Sequence, residues 1–470
     1  MKSIARASVF AAPFLAAALT VSLEAAADEP AAPPPAASAP SSPPAAPADK
    51  PADKPAGDAK PAAGDGAPPD GAPPAHGMHD GHGGHHGHGD HHGPHGDADD
   101  DEGDEPHAHH HDGSGDRMPD LHEYLRLRLG PLAISPVLLM QAQAMPYIGG
   151  DSLLQAGDPA ERAGFKMRRA RFGFEGRAFS RIPFKISAEF NSDFKGTALL
   201  HDAWFGYDKW KPLQVFAGAH DVPFSRSAMM SSGGSALIER PYAVRSMAPF
   251  YQVGISAHGS FWKGALHYAA GVYNGLTRSD QFFFGYQENS AVNGNRFDGL
   301  TYAARLGSDP FGDMGHTMQD LHKGDFKLGV GASVFFSNGG TRNILGAGGD
   351  VLAKWKGFHL LGEFLMNKSD PRTVPTQPSG QITTIQSLGV VGELGYMILK
   401  ERLGVTARVE WIDPNTSVKN EADSLIVAGG ASYHLFHDVL KAQLDFTHRQ
   451  ELAGKSLDND SLVLQLQLHL

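Results

Sequence analysis

Residues 166–191 read KMRRARFGFEGRAFSRIPFKISAEFN, and apolar and charged positions alternate along them. Ala170, Phe172, Phe174, Gly176 and Ala178 share one side; Arg169, Arg171, Glu175 and Arg177 share the other. A period of two defines a strand and excludes a helix. After a short turn at 180–182, Phe184, Ile186, Ala188 and Phe190 alternate with Lys185, Ser187, Glu189 and Asn191. A sheet that is greasy on one face and ionic on the other is either half of a soluble sandwich or the wall of a transmembrane barrel, with lipid outside and an aqueous lumen inside.

The connectors decide between these. Alternating segments fall at 132–146, 166–179, 183–192, 199–208, 212–221, 250–261, 264–273 and 298–307, then at 326–336, 348–355, 358–366, 386–399, 402–412, 424–436, 438–449 and 460–470. Each is near the length of a tilted barrel strand. Brief connectors such as 262–263 and 356–357 alternate with long ones such as 147–165, 222–249, 274–297 and 367–385. Sorting of this kind belongs to outer-membrane barrels, and a sandwich has no reason for it. The segment 308–325 is an exception, a long connector on the short side. In the last segment Leu462, Leu464, Leu466, Leu468 and Leu470 alternate with Val463, Gln465, Gln467 and His469. As a soluble edge strand it would invite aggregation. The expected fold is all-β, a 16-stranded antiparallel transmembrane β-barrel over 132–470.

Composition adds the compartment. Lys2 and Arg6 precede an apolar run over 7–21, with small residues at Ala25 and Ala27, the pattern of a cleavable signal peptide over 1–27. The run falls short of the roughly 20 apolar residues that a spanning anchor needs. There is no cysteine, which excludes disulfides, thiolate metal sites and a lipidated N-terminal cysteine. The formal net charge of −12 misleads, because the acidic excess is concentrated in the first 116 residues and the body is slightly basic. That balance permits an anion path without proving one.

Residues 28–75 are mostly Ala, Pro, Asp, Lys and Gly, too poor in apolar side chains to fold, and read as a disordered linker. Residues 76–118 form a disordered His/Asp-rich segment with thirteen histidines, among them His82, His85, His86, His88, His91, His92, His109, His110 and His111. Imidazoles beside carboxylates suit zinc, nickel or copper, held loosely because the glycines preorganise nothing. Weak metal capture and a solvated tail with incidental affinity stand side by side; no other cofactor is implied. Residues 119–131 read as a linker or a short plug.

RRARFGFEG at 168–176, LLHDAWFGY at 199–207, GAHDVPFSR at 218–226, IERP at 238–241 and VGISAHG at 253–259 resemble, in order and spacing, the phosphate-selective porin O and P family. The resemblance implies a sixteen-stranded trimeric porin whose third loop, 222–249 here, folds into the lumen. Where members of the family often carry a lysine ahead of the Pro-Phe pair, this chain has Asp221. Arginine recognises phosphate through its planar fork of N–H donors. The candidate lining is therefore Arg226, Arg240 and Arg245 in that loop, with Arg169, Arg171, Arg177, Lys185, Arg305, Arg408 and Lys441 on the lumen faces of the strands. Their alternative is to pair with Glu175, Glu189, Asp202, Glu239, Glu410 and Asp445 as struts of the wall.

The functional expectation is an outer-membrane porin for passive diffusion of small anions, phosphate or polyphosphate included, embedded in outer-membrane lipid, homotrimeric, with its N-terminal tail in the periplasm. The alternative is a general porin of low selectivity whose histidine-rich tail binds transition metals. Neither a Gly-x-Ser-x-Gly elbow nor a His-Glu-x-x-His pair is present, and the expectation is a protein that is not an enzyme and binds no nucleic acid.

Overall fold

The computed structural model describes residues 125–150, 163–190, 199–276, 299–338, 342–371, 384–436 and 438–470. The histidines singled out above lie outside the described residues. A short strand, β1 (Leu127–Leu129), precedes β2 (Leu132–Ile148), β3 (Gly164–Ala178), β4 (Ile182–Glu189), β5 (Leu199–Trp210), β6 (Leu213–Asp221), β7 (Tyr251–Phe261), β8 (Leu266–Asn274) and β9 (Leu300–Ser308). There follow β10 (Lys327–Ser337), β11 (Arg342–Trp355), β12 (Phe358–Pro371), β13 (Ile385–Leu399), β14 (Leu403–Asp413), β15 (Ser424–Phe436), β16 (Leu440–Glu451) and β17 (Ser461–His469). From β2 on, each strand pairs antiparallel with the next, and β17 returns to β2 with Gln465 opposite Gln143 and Gln467 opposite Gln141. Among the described residues, sixteen strands thus close into a barrel without a free edge, which is how a sheet satisfies its backbone in lipid. No described helix is long and apolar enough to cross a membrane.

The closure seam is stitched from inside. Gln141 Nε2 donates to Gln467 Oε1 at 2.7 Å, Gln143 to Gln465 at 2.9 Å and Gln465 to Gln443 at 3.1 Å. β1 pairs with β2 through Leu127 opposite Ile134, lying beyond the point where Leu138 and Leu470 exchange their backbone hydrogen bonds. It extends the wall at the short-turn end.

Most strand limits lie within a few residues of the alternation. β11 and β12 run well beyond the expected 348–355 and 358–366, pairing Arg342 with Pro371. In the added parts Gly346 leaves a gap in the apolar pattern and Asn367, Lys368, Ser369 and Asp370 are polar, but a strand paired on both sides does not depend on an apolar side chain at every position. The short turns have hairpin geometry: Lys356 and Gly357 both adopt positive φ, 53° and 95°, as a two-residue turn matched to strand twist requires.

Sidedness follows the pattern. Phe172, Phe174, Ile186, Leu464 and Leu466 are about half exposed on the outside, whereas Gln467, Glu363 and Arg305 are buried within. No described layer covers the outer face, so hydrocarbon is its solvent. Phe179, Trp210, Trp262, Trp355, Phe358 and Phe436 are exposed at the short-turn end, where an aromatic girdle meets the headgroups. Leu466→Arg, near the middle of β17, is expected to cost about 2–4 kcal/mol of folding free energy in lipid vesicles, read by denaturant titration. Unchanged stability would mean that Leu466 faces something other than lipid tails.

Candidate functional site

The connector between β6 and β7 turns inward instead of extending beyond the barrel. It contains α1 (Arg226–Met229), a single 3-10 turn at Ser232–Gly234 and α2 (Tyr242–Met247). Local chemistry shapes it. Ser225 accepts from the Ala228 backbone N–H, Ser231 caps the 3-10 turn, and Pro241 precedes the first turn of α2, each a standard helix-start residue. Val222, Phe224, Ala228, Tyr242, Ala243, Val244 and Met247 pack on Phe335, Ile344, Leu365, Val391, Ile412 and Ile426, which point inward from β10–β15. The inner face of that wall is apolar in patches because it beds a loop and not water.

A loop inside a barrel must hydrogen-bond its backbone to the wall, and polar wall residues do this. Glu363 accepts from Ser225 Oγ at 3.2 Å and the Ser227 N–H at 2.9 Å. Asp445 and Glu410 accept from the Ile238 and Ala243 N–H groups at 2.5 and 3.0 Å. Gln467, Lys441, Gln443, Arg408 and Asn367 donate to the carbonyls of Gly233, Ser235, Ala236, Glu239 and Met247 at 2.8–3.1 Å.

On its other side the loop presents Glu239 to arginines. Arg168 Nε reaches the carboxylate at 2.7 Å, Arg169 at 3.7 Å and Arg245 at 3.8 Å. Strict alternation would send Arg168 to the lipid. The register slips here: Gln141 faces Arg169 while Ala142 faces Met167, so Arg168 is the extra residue of a β-bulge, and the local kink turns both arginines inward. Burial pushes the Glu239 carboxyl up, but Arg168, Arg169 and Arg245 outweigh it and hold it well below the usual range. All four side chains keep some exposure, 12–24%. Glu239, Arg240 and Arg245 also line a cavity with Arg408, Arg449, Glu410 and Asp445 in the loop-end half of the lumen.

The predicted residues divide into those at this cluster and those in the wall. Arg169 and Arg245 meet at Glu239. Arg240 is tied into the loop itself, donating to the carbonyls of Ser227 and Met230. Arg171 pairs with Glu189 at 3.2 Å, Arg177 with Asp208 at 2.7 Å, and Lys185 with Glu175 and Asp202 at 3.6 and 4.0 Å. Arg226 and Arg305 converge on Asp350 at 2.7 and 2.6 Å. Arg408 pairs with Glu410 at 2.8 Å and Glu393 at 3.4 Å; Lys441 holds the Ser235 carbonyl. Three residues that matter were not singled out in the sequence: Arg168; Asp350; and Arg449, whose guanidinium lies 4.7 Å from the Tyr242 ring centre. The Arg168–Arg169 doublet, two cations where alternation wants one, was the available signal for the bulge.

A closed sheet with a lipid-facing outside and a loop folded into a charged lumen defines an outer-membrane porin-like β-barrel. Residues 150–324 match the family described as phosphate-selective porin O and P. An uncharacterized protein of Aquifex aeolicus (strain VF5) is 26% identical over 223 residues, 42% of this chain and 53% of that protein; the chain thus spans about half the length of the curated relative it matches. Among solved structures, it superposes on the anion-selective porin from Comamonas acidovorans with TM-score 0.47, 11% identity and coverage of 72% of this chain and 99% of that one. For the outer membrane channel DcaP of Acinetobacter baumannii the values are 0.48, 12%, 72% and 97%.

Proposed function

We propose that the barrel is a passive channel for small anions, phosphate among them, and that they pass the arginines around Glu239. The observation that carries this is the excess of cations at one level of the lumen: Arg168, Arg169 and Arg245 within ion-pair range of one carboxylate, with Arg240 lining the same cavity. An anion entering a narrow pore gives up hydration, and forked N–H donors replace it. Glu239 neutralises part of this charge, so the cluster attracts an anion without trapping it, which transport requires. The wall cations contribute rigidity and little field, since Arg171, Arg177, Lys185 and Arg408 sit on carboxylates of their own, Arg226 and Arg305 share Asp350, and Lys441 is held by a carbonyl. The same reading makes the barrel one of three copies. β2 begins at the short-turn end, which supports a periplasmic position for the preceding tail.

Reversal potentials across planar bilayers under a salt gradient test the proposal, and a cation-preferring current would overturn it. Arg168→Gln combined with Arg245→Gln is expected to move the reversal potential in the cation direction and to weaken phosphate block of the chloride current about tenfold. Block of unchanged strength would remove these residues from the path.

A further inference from the structure

The connector between β9 and β10 breaks the rule that connectors on this side are brief. Residues 309–326 contain no helix or strand, yet Met314, Met318, Gln319, Asp320 and Leu321 are buried. An irregular segment can be buried only if its polar groups find partners. Lys354 Nζ donates to the carbonyls of Met314 and Thr317 at 2.6 and 2.5 Å. The Gly357 N–H donates to Asp320 at 2.7 Å, the Glu401 N–H to the Leu321 carbonyl at 3.0 Å, and His316 pairs with Asp438 at 2.5 Å. Gly357, Glu401 and Asp438 belong to three successive short turns, β11–β12, β13–β14 and β15–β16, so the segment runs across the short-turn mouth.

The same segment meets the first half of the inner loop at three points. Asp309 lies 3.7 Å from Arg226. Met314 and Met318 share an apolar cluster with Ala236 and Met230. The Met318 N–H donates to the Gly234 carbonyl at 2.9 Å, and a Cβ on Gly234 would collide with the His316 carbonyl.

We propose that residues 309–326 are a brace that holds the tip of the inner loop at a fixed depth and thereby sets the calibre of the pore. Gln467 and Lys441 secure that tip sideways; the brace stops it moving toward the short-turn mouth, so the narrowest level is defined from both ends of the barrel. The inference rests on the barrel conducting ions and is indifferent to which ion passes. Gly234→Val crowds the junction, and Lys354→Met removes the ammonium that fixes the brace while keeping most of its stem. Met318→Ala, which deletes the contact without crowding, serves where Gly234→Val does not fold. After folding is checked by heat-modifiable electrophoretic mobility, each variant is recorded in planar bilayers. Single-channel conductance is expected to rise roughly twofold with greater open-channel noise. Wild-type conductance and noise in Lys354→Met and in a variant at the tip junction would overturn the brace. The reversal potential from the same recordings reports selectivity separately, so a cation-preferring channel with altered conductance would refute the anion reading and keep the brace.

Discussion

Glu239→Gln is expected to strengthen anion preference and to tighten phosphate block about tenfold. The amide keeps the shape of the side chain and an oxygen that accepts from Arg168, so the loop holds its course, while the arginine cluster gains one net positive charge. At 4 Å and an effective dielectric near 20, a unit charge is worth about 4 kcal/mol. Partial exposure of the cluster and salt in the bath reduce this to about 1.4 kcal/mol, a factor of ten. The concentration of phosphate that halves the chloride current measures it. Unchanged block would place the permeating anion elsewhere. Weaker block would show that Glu239 organises the arginines and does not compete with the solute.

Asp350→Asn is expected to have the largest effect on stability, about 3–5 kcal/mol, because it strips a buried carboxylate from two guanidinium groups at once. Asp350 is 1% exposed at its side chain and takes Arg305 at 2.6 Å and Arg226 at 2.7 Å. Arg305 belongs to the neighbouring wall and Arg226 to the inner loop, so this carboxylate ties the root of the loop to β9 and β11. Denaturant titration of the refolded barrel measures the loss. Combining Asp350→Asn with Arg226→Met removes one of the stranded charges and is expected to recover part of it. A loss below about 1 kcal/mol in the single variant would mean that water reaches the pair.

Much of the barrel was readable because alternation is local. Phe172, Phe174 and Leu466 declared their side without reference to any other strand, and the sorting of brief and long connectors declared the two ends. β11 and β12 were read too short because Gly346 interrupts the apolar pattern in the part of β11 that was missed and the end of β12, Asn367 to Pro371, is polar and closes on a proline. The candidate site was less legible. Arg169 and Arg245, both read as lining the lumen, meet at Glu239, but Arg408 and Lys441, equally inward by pattern, donate to the backbone of the inner loop. Nothing in their own strands distinguishes the two roles, since the loop that claims them lies some 170 to 210 residues away in the chain.

The sequence by itself determined that the chain makes ribbons with one greasy and one polar face, how many there are, and at which end the long connectors emerge. Only the tertiary structure decided the register in which β17 meets β2, the apolar bed beneath the inner loop, the bulge that brings Arg168 beside Arg169, and that residues 309–326 rise to meet the loop. The reason is physical. Alternation is imposed by the backbone of each strand, whereas register, bulges and loop paths are set by which partner offers a hydrogen bond or a cavity, and those partners become neighbours only when the sheet closes.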